Sequence, residues 1–139
     1  MVVQENVQIV KNAYAAFGRG DIQGLLALFA EDIEWIIPGE GGWPLAGTYR
    51  GRAGVADLFR KVSEMLEISF LETREFVAQG DRVLAVAFSG GRVKGTNRRY
   101  EHHEVLAFTV RNGKVTNVRE YIDTLALARS FEMPGSVTA

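Results

Sequence analysis

The chain has 139 residues, 47% of them hydrophobic, and a net charge of −1. That length suits one domain that buries about two-thirds of its unfolded surface, and the lack of any block of like charge argues against a nucleic-acid surface. With no cysteine, neither a disulfide framework nor a thiolate metal site is available.

The opening segment MVVQENVQIV lacks a basic region followed by an apolar run and small cleavage residues, so it does not read as a signal peptide. No apolar stretch approaches the ~20 residues that cross a bilayer. The expectation is a soluble, cytoplasmic protein with a single domain over residues 1–139.

Val7, Val10, Tyr14 and Phe17 recur at steps of three and four, with Ile9, Ala13 and Ala16 widening the stripe. This spacing predicts an amphipathic helix ended by the glycines of GRG. Asp21 then offers a side-chain oxygen to the free amides of a second helix, IQGLLALFA, ending near Glu31 and Asp32. Ile33, Trp35 and Ile37 alternate with Glu34 and Ile36 in a short strand stopped by Pro38, and PGEGGWPLAG reads as a loop, one that would serve as a lid or a simple connection. A third helix runs from about Arg52 to Glu67, with Val55, Leu58, Phe59, Val62, Met65 and Leu66 on its apolar side. The period then changes to two, predicting strands near 68–77, 82–90, 98–110 and 114–123 with turns at QGD and RNG. A short helix in TLALARSFE, capped by Asp123, precedes a loose tail MPGSVTA. GRG and SGG read as turns, without the strand–glycine–helix context of a nucleotide site.

Helices followed by an antiparallel meander make an α+β architecture. Three helices cannot cover both faces of a four- or five-stranded sheet, so the sheet is expected to curve around them and leave a cavity. Its other face would meet solvent or another subunit.

RRYEHHEVLAF, residues 98–108, holds both histidines of the chain, flanked by Glu101 and Glu104. Neighbours on a strand point to opposite faces, so His102 and His103 cannot share one ion, and no metal site is assigned. His102 and Glu104 share a face, which makes His102 a hydrogen-bonding candidate at a pocket mouth.

The turn at RNG decides what else shares that face. A three-residue loop with Gly113 in the left-handed position pairs Val110 with Lys114 and sets Glu104 opposite Glu120. A two-residue NG loop sets Glu104 opposite Tyr121 and Glu120 opposite Val105. The first is preferred because it gathers Leu106, Phe108, Val118 and Ile122 on one surface. Two carboxyls directly opposed lie about 5 Å apart, and one should then titrate well above the usual carboxylate range. Such a group can take a proton from carbon next to a carbonyl and return it.

The segments AFGRGDIQGLLALFAEDIEW, GTYRGRAGVADLF and VRNGKVTNVREYID, in this order, resemble the SnoaL-like branch of the nuclear-transport-factor-2-like superfamily, over roughly residues 5–130. That superfamily also holds ketosteroid isomerases, limonene-epoxide hydrolases and scytalone dehydratases. The resemblance implies a cone-shaped half-barrel, a mostly antiparallel sheet wrapped around three helices with an apolar pocket between, and commonly a homodimer. It places the acid–base group of the family's polyketide cyclases at Glu120 and another pocket position at Leu106. The ketosteroid isomerase base falls at Ile37, its oxyanion-stabilising acid at Leu106 and its tyrosine at Ala13, so that mechanism is not carried over. An Asp–Arg–Asp set of the epoxide-hydrolase kind is not clearly formed by Asp123 and Arg119.

The reading that emerges is a cofactor-free enzyme of polyketide-cyclase or isomerase type. Glu120 is its acid–base residue, Glu104 its partner, and Tyr14, Phe17, Trp35, Phe59, His102, Leu106 and Val118 surround a hydrophobic, oxygenated substrate. Tyr14 serves equally as pocket or core residue. A non-catalytic binder of a hydrophobic ligand or a dimerisation module is the alternative, and an epoxide hydrolase a third.

Overall fold

In the computed structural model, which describes residues 2–132, the first apolar stripe forms helix α1 (Val2–Gly18) and buries Val10, Ala13 and Ala16. Asp21 caps α2 (Ile22–Ala27), its Oδ1 accepting from the Gly24 amide at 2.9 Å. This helix ends earlier than its apolar run predicts. Phe29 and Ala30 already belong to strand β1 (Phe29–Ile37), because there Phe29 and Ile33 become fully buried. Burying each such side chain contributes about 1.5–3 kcal/mol, more than another half turn of helix supplies.

After β1 come β2 (Gly47–Arg50) and α3 (Gly51–Met65), then β3 (Leu66–Gln79), β4 (Arg82–Val93), β5 (Arg99–Arg111), β6 (Lys114–Ile122) and α4 (Thr124–Ser130). The expected tail MPGSVTA lies outside the described residues. The sheet has six strands, ordered β2-β1-β6-β5-β4-β3, where four or five were expected. β2 hides in the sequence because it is a four-residue edge strand following a glycine-rich loop. Among the described residues only β1 and β6 pair in parallel; every other pairing there is antiparallel. The sheet is curved and open, and the helices pack on one side of it. Val10, Val55 and Leu58 from the helices share a core with Ile33, Phe108 and Val118 from the strands. Among the described residues no helix is long and apolar enough to cross a membrane.

The final hairpin departs from both registers considered above. Asn112 and Gly113 both have positive φ, 52° and 76°, as a two-residue type I′ turn requires, and Arg111 pairs with Lys114. Val110 pairs with Val115 but Thr109 pairs with Asn117, so Thr116 is an extra residue in β6. This bulge restores the face parity that the turn alone would have reversed. Phe108 then faces Val118, Leu106 faces Glu120 and Glu104 faces Ile122. Glu104 and Glu120 are therefore diagonal neighbours on one face, not a directly opposed pair.

Ser89-Gly90-Gly91, expected as a turn, lies inside β4. The glycines allow close approach there: a Cβ on Gly91 would collide with the Glu67 carbonyl oxygen, and one on Gly90 would fall 2.6 Å from the Phe70 ring. The strand therefore continues and carries Ser89, opposite His102, onto the concave face.

Candidate active site

The concave face of the sheet and helices α1 and α3 enclose a cavity of about 140 Å³. Its walls are mostly apolar, aliphatic and aromatic side chains together. Trp35 and Phe59 meet edge to face with centroids 5.4 Å apart, and Phe17 lies 5.8 Å from Phe59. Tyr14 sits edge-on to Phe108 at 6.0 Å. Trp43 and Leu45 bring the 38–46 loop to the wall. The Trp43 indole donates to the Pro38 carbonyl at 2.9 Å and the Tyr49 hydroxyl to the Leu45 carbonyl at 2.8 Å, so this loop is tied down at both ends.

Strand alternation brings Tyr100, His102, Glu104, Leu106 and Phe108 of β5 to the cavity, with Glu120 and Ile122 from β6. Glu120 accepts a hydrogen bond from the Trp35 indole N–H at 2.7 Å. This bond follows from the parallel β1–β6 ladder, in which Trp35 pairs with Val118, one same-face step from Glu120. His102 Nε2 lies 3.9 Å from Glu104 Oε2, beyond hydrogen-bond range. The Tyr14 hydroxyl and His102 Nδ1 are buried with no hydrogen-bond partner among the described residues.

Burial dominates the electrostatics. It pushes the Glu120 carboxyl up to about 8, with repulsion from Glu104 adding to the rise and the Trp35 N–H opposing it. Burial alone pushes Glu104 up to about 7. The Tyr14 hydroxyl is pushed up by burial first, then by the charges of Glu104 and Glu120. Tyr100 is pushed up to about 12, by burial and then by Glu104. His102 is pushed down, chiefly by burial. Because burial disfavours the His102 cation, its approach to Glu104 is not an ion pair. A carboxyl pair poised near neutrality, in an apolar space next to a hydroxyl donor, can move protons to and from carbon.

Eight of the nine residues singled out in the sequence border this cavity: Glu104, Glu120, Tyr14, Phe17, Trp35, Phe59, His102 and Leu106. Val118 does not. It is fully buried beneath the wall, in the core, because parity fixes the face a residue shares but not its depth. Met65, also counted on the apolar side of its helix, packs against the core without reaching the cavity. Asp123 caps α4, accepting from the Ala126 amide at 3.0 Å. Among the described residues no three His, Asp or Glu side chains converge as metal ligands would. Sequence reasoning missed Tyr100 and Ser89. Tyr100 was within reach, since it shares the parity of His102 and Glu104; Ser89 was hidden by reading SGG as a turn.

A family model described as "SnoaL-like domain" matches residues 10–118. A crystal structure of an NTF2-like protein from Burkholderia xenovorans is 66% identical, covers 94% of this chain and 98% of that one, and superposes with a TM-score of 0.86. TerC, co-crystallised with polyporic acid, is 31% identical over 91% of this chain and 97% of its own, with a TM-score of 0.82. An uncharacterised protein of Mycobacterium tuberculosis is 27% identical, over 94% of this chain and 98% of that protein.

Proposed function

This chain belongs to the SnoaL-like domain family, and we propose that within it the chain is a cofactor-free enzyme of polyketide-cyclase or isomerase type, acting on a hydrophobic, oxygenated small molecule. The observation that carries the reading is Glu120: a carboxyl held by the Trp35 indole in an apolar cavity, with Glu104 on the same face. In this mechanism Glu104 and Glu120 hold one proton between them near neutral pH, and in the form with that proton on Glu104 the Glu120 carboxylate takes the proton from carbon next to a carbonyl. The C–H electron pair becomes the enolate double bond, and negative charge gathers on the carbonyl oxygen. The Tyr14 hydroxyl and the protonated Glu104 donate hydrogen bonds to that oxygen. Glu120 then returns its proton to another carbon, which isomerises the substrate. In a cyclisation the enolate carbon instead bonds to a second carbonyl carbon of the same molecule, and the proton goes to the new alkoxide.

The test is deuterium incorporation next to the carbonyl of small cyclic ketones in D2O, followed by NMR. Glu120→Gln should lower the rate by about 10²–10⁴-fold, the range of a general base. Equal rates in wild type and variant, or no exchange above buffer for any ketone, would sink the reading.

We also propose that the convex face of the sheet forms a homodimer. Phe88 there packs against Phe70 at 5.4 Å and His103 at 4.7 Å, with the Arg74 guanidinium 5.0 Å over its ring. Tyr121 and Val77, on the same face, are more than half exposed. Sedimentation of wild type and Phe88→Glu decides it: a dimer that becomes a monomer is expected, and equal masses would exclude this surface.

A further inference from the structure

We propose that the cavity takes an uncharged, single-ring ligand with two oxygen functions, one placed at Glu120 and Tyr14 and the other hydrogen-bonded to His102. The inference rests on the acid–base reading of Glu120 and narrows its substrate to monocyclic, dioxygenated ketones.

Size comes first. The cavity measures about 140 Å³, and a dry apolar cavity of about 150 Å³ is filled by one benzene ring. A two- or three-ring skeleton would have to displace Trp35, Leu58, Phe59 or Phe108, each at most 8% exposed. Close-packed walls resist such displacement. Leu127 of α4, itself buried, adds to the same wall.

Charge comes second. No lysine or arginine lines the cavity, and two glutamates do. An anionic ligand would lose its water, find no counter-charge and meet Glu104 and Glu120.

The polar pattern comes third. Tyr14 Oη and His102 Nδ1 are buried and unpartnered among the described residues, and His102 is only 8% exposed. Each belongs to a side chain on the cavity wall, where a ligand oxygen or hydroxyl can satisfy it. A neutral imidazole can donate or accept at that position, and burial keeps His102 neutral. Along β5, Glu104 stands midway between His102 and Leu106, and Leu106 faces Glu120. The two ends of this row are about 13 Å apart in backbone terms, and the side chains reach inward from both. A six-membered ring with oxygens on opposite corners, with a hydrogen bond of about 2.8 Å at each end, fits that interval. One oxygen alone would leave His102 Nδ1 unpaired.

The test measures equilibrium binding by amide-shift titration, in wild type and in Glu120→Gln, so that no proton transfer is needed. The probes are cyclohexanone, cyclohexane-1,4-dione, decalone, cyclohexanecarboxylate and cyclohexylammonium. The dione should bind about tenfold more tightly than cyclohexanone, the effect of one added buried hydrogen bond. Decalone, although more apolar, should bind more weakly than cyclohexanone. His102→Leu should abolish the preference for the dione, and His102→Gln, which keeps a hydrogen-bonding group, should retain part of it. Equal affinity for dione and cyclohexanone in wild type, tighter binding of decalone, or a carboxylate or ammonium probe that outbinds the ketones would overturn the proposal. Should His102→Leu fail to fold, the wild-type selectivity and His102→Gln still decide. Dione preference without deuterium exchange would remove the catalytic reading alone. Exchange on cyclohexanone without dione preference would remove this inference alone.

Discussion

Replacing Glu120 by Gln should make the protein more stable at alkaline pH. The folded chain holds the Glu120 proton far more tightly than an unfolded chain, since burial moves its carboxyl from 4.5 to about 8. A carboxyl raised in this way stabilises the fold fully below pH 4.5, and that contribution is lost as pH rises through about 8. At about 1.4 kcal/mol per tenfold change in proton affinity, the interval amounts to about 5 kcal/mol while the cavity stays dry. Glu104, raised from 4.5 to about 7 by burial, adds loss in the same direction. Against a typical total of about 5–15 kcal/mol, the wild type should approach unfolding near pH 9. Glutamine keeps an oxygen to accept from the Trp35 indole but has no proton to lose. Guanidinium unfolding of wild type and Glu120→Gln, at intervals from about pH 5 to pH 9, reads the difference. The variant should gain several kcal/mol relative to wild type across that range. A constant offset between the two curves would mean that Glu120 is solvated, and the desolvation argument would fall.

Tyr14→Phe should leave the fold as stable or raise its stability by about 1 kcal/mol, because the buried hydroxyl has no partner among the described residues. It should still lower ketone exchange about hundredfold; a stability loss comparable to a core truncation would show instead that the hydroxyl is satisfied in solution. Trp35→Phe removes the N–H that holds Glu120 down, so the Glu120 titration should move above about 8, and an unchanged or lower midpoint in an NMR titration would contradict the bond. Deleting Thr116 removes only the extra residue, so Phe108 still faces Val118 and Leu106 still faces Glu120. The variant should fold with its raised glutamate titrations retained, and their loss in an NMR titration would refute the register.

Much of the architecture was legible because periodicity reports it directly. The stripe Val7–Val10–Tyr14–Phe17 and the two-residue alternation after residue 66 reappear as α1 and as β3 to β6. What stayed hidden was decided by contacts distant in the chain. The end of α2 depends on Phe29 finding the core beside Trp35, 6.0 Å away, and β2 exists only because β1 offers it an edge. The last hairpin shows both outcomes together. Apolar parity correctly put Glu104 and Glu120 on one face, while the turn type and the Thr116 bulge, which shifted the pairing by two residues, were not visible in that pattern. The hydrogen bond between Trp35 and Glu120 joins residues 85 positions apart through a parallel ladder that an antiparallel meander does not suggest. Val118 marks the remaining limit, since it has the right face and lies too deep.

The most direct test of the carboxyl pair is an NMR titration of the glutamate side-chain carboxyl carbons in wild type and Glu120→Gln. Two carboxyls should titrate apart from the rest, in coupled steps near 7 and 8. In the variant the step near 8 should vanish and the survivor, Glu104, should stay near 7, since burial alone raises it. If every glutamate carboxyl in the wild type titrated near the ordinary value of about 4.3, the buried, proton-sharing pair would not exist, and the acid–base role of Glu120 would go with it.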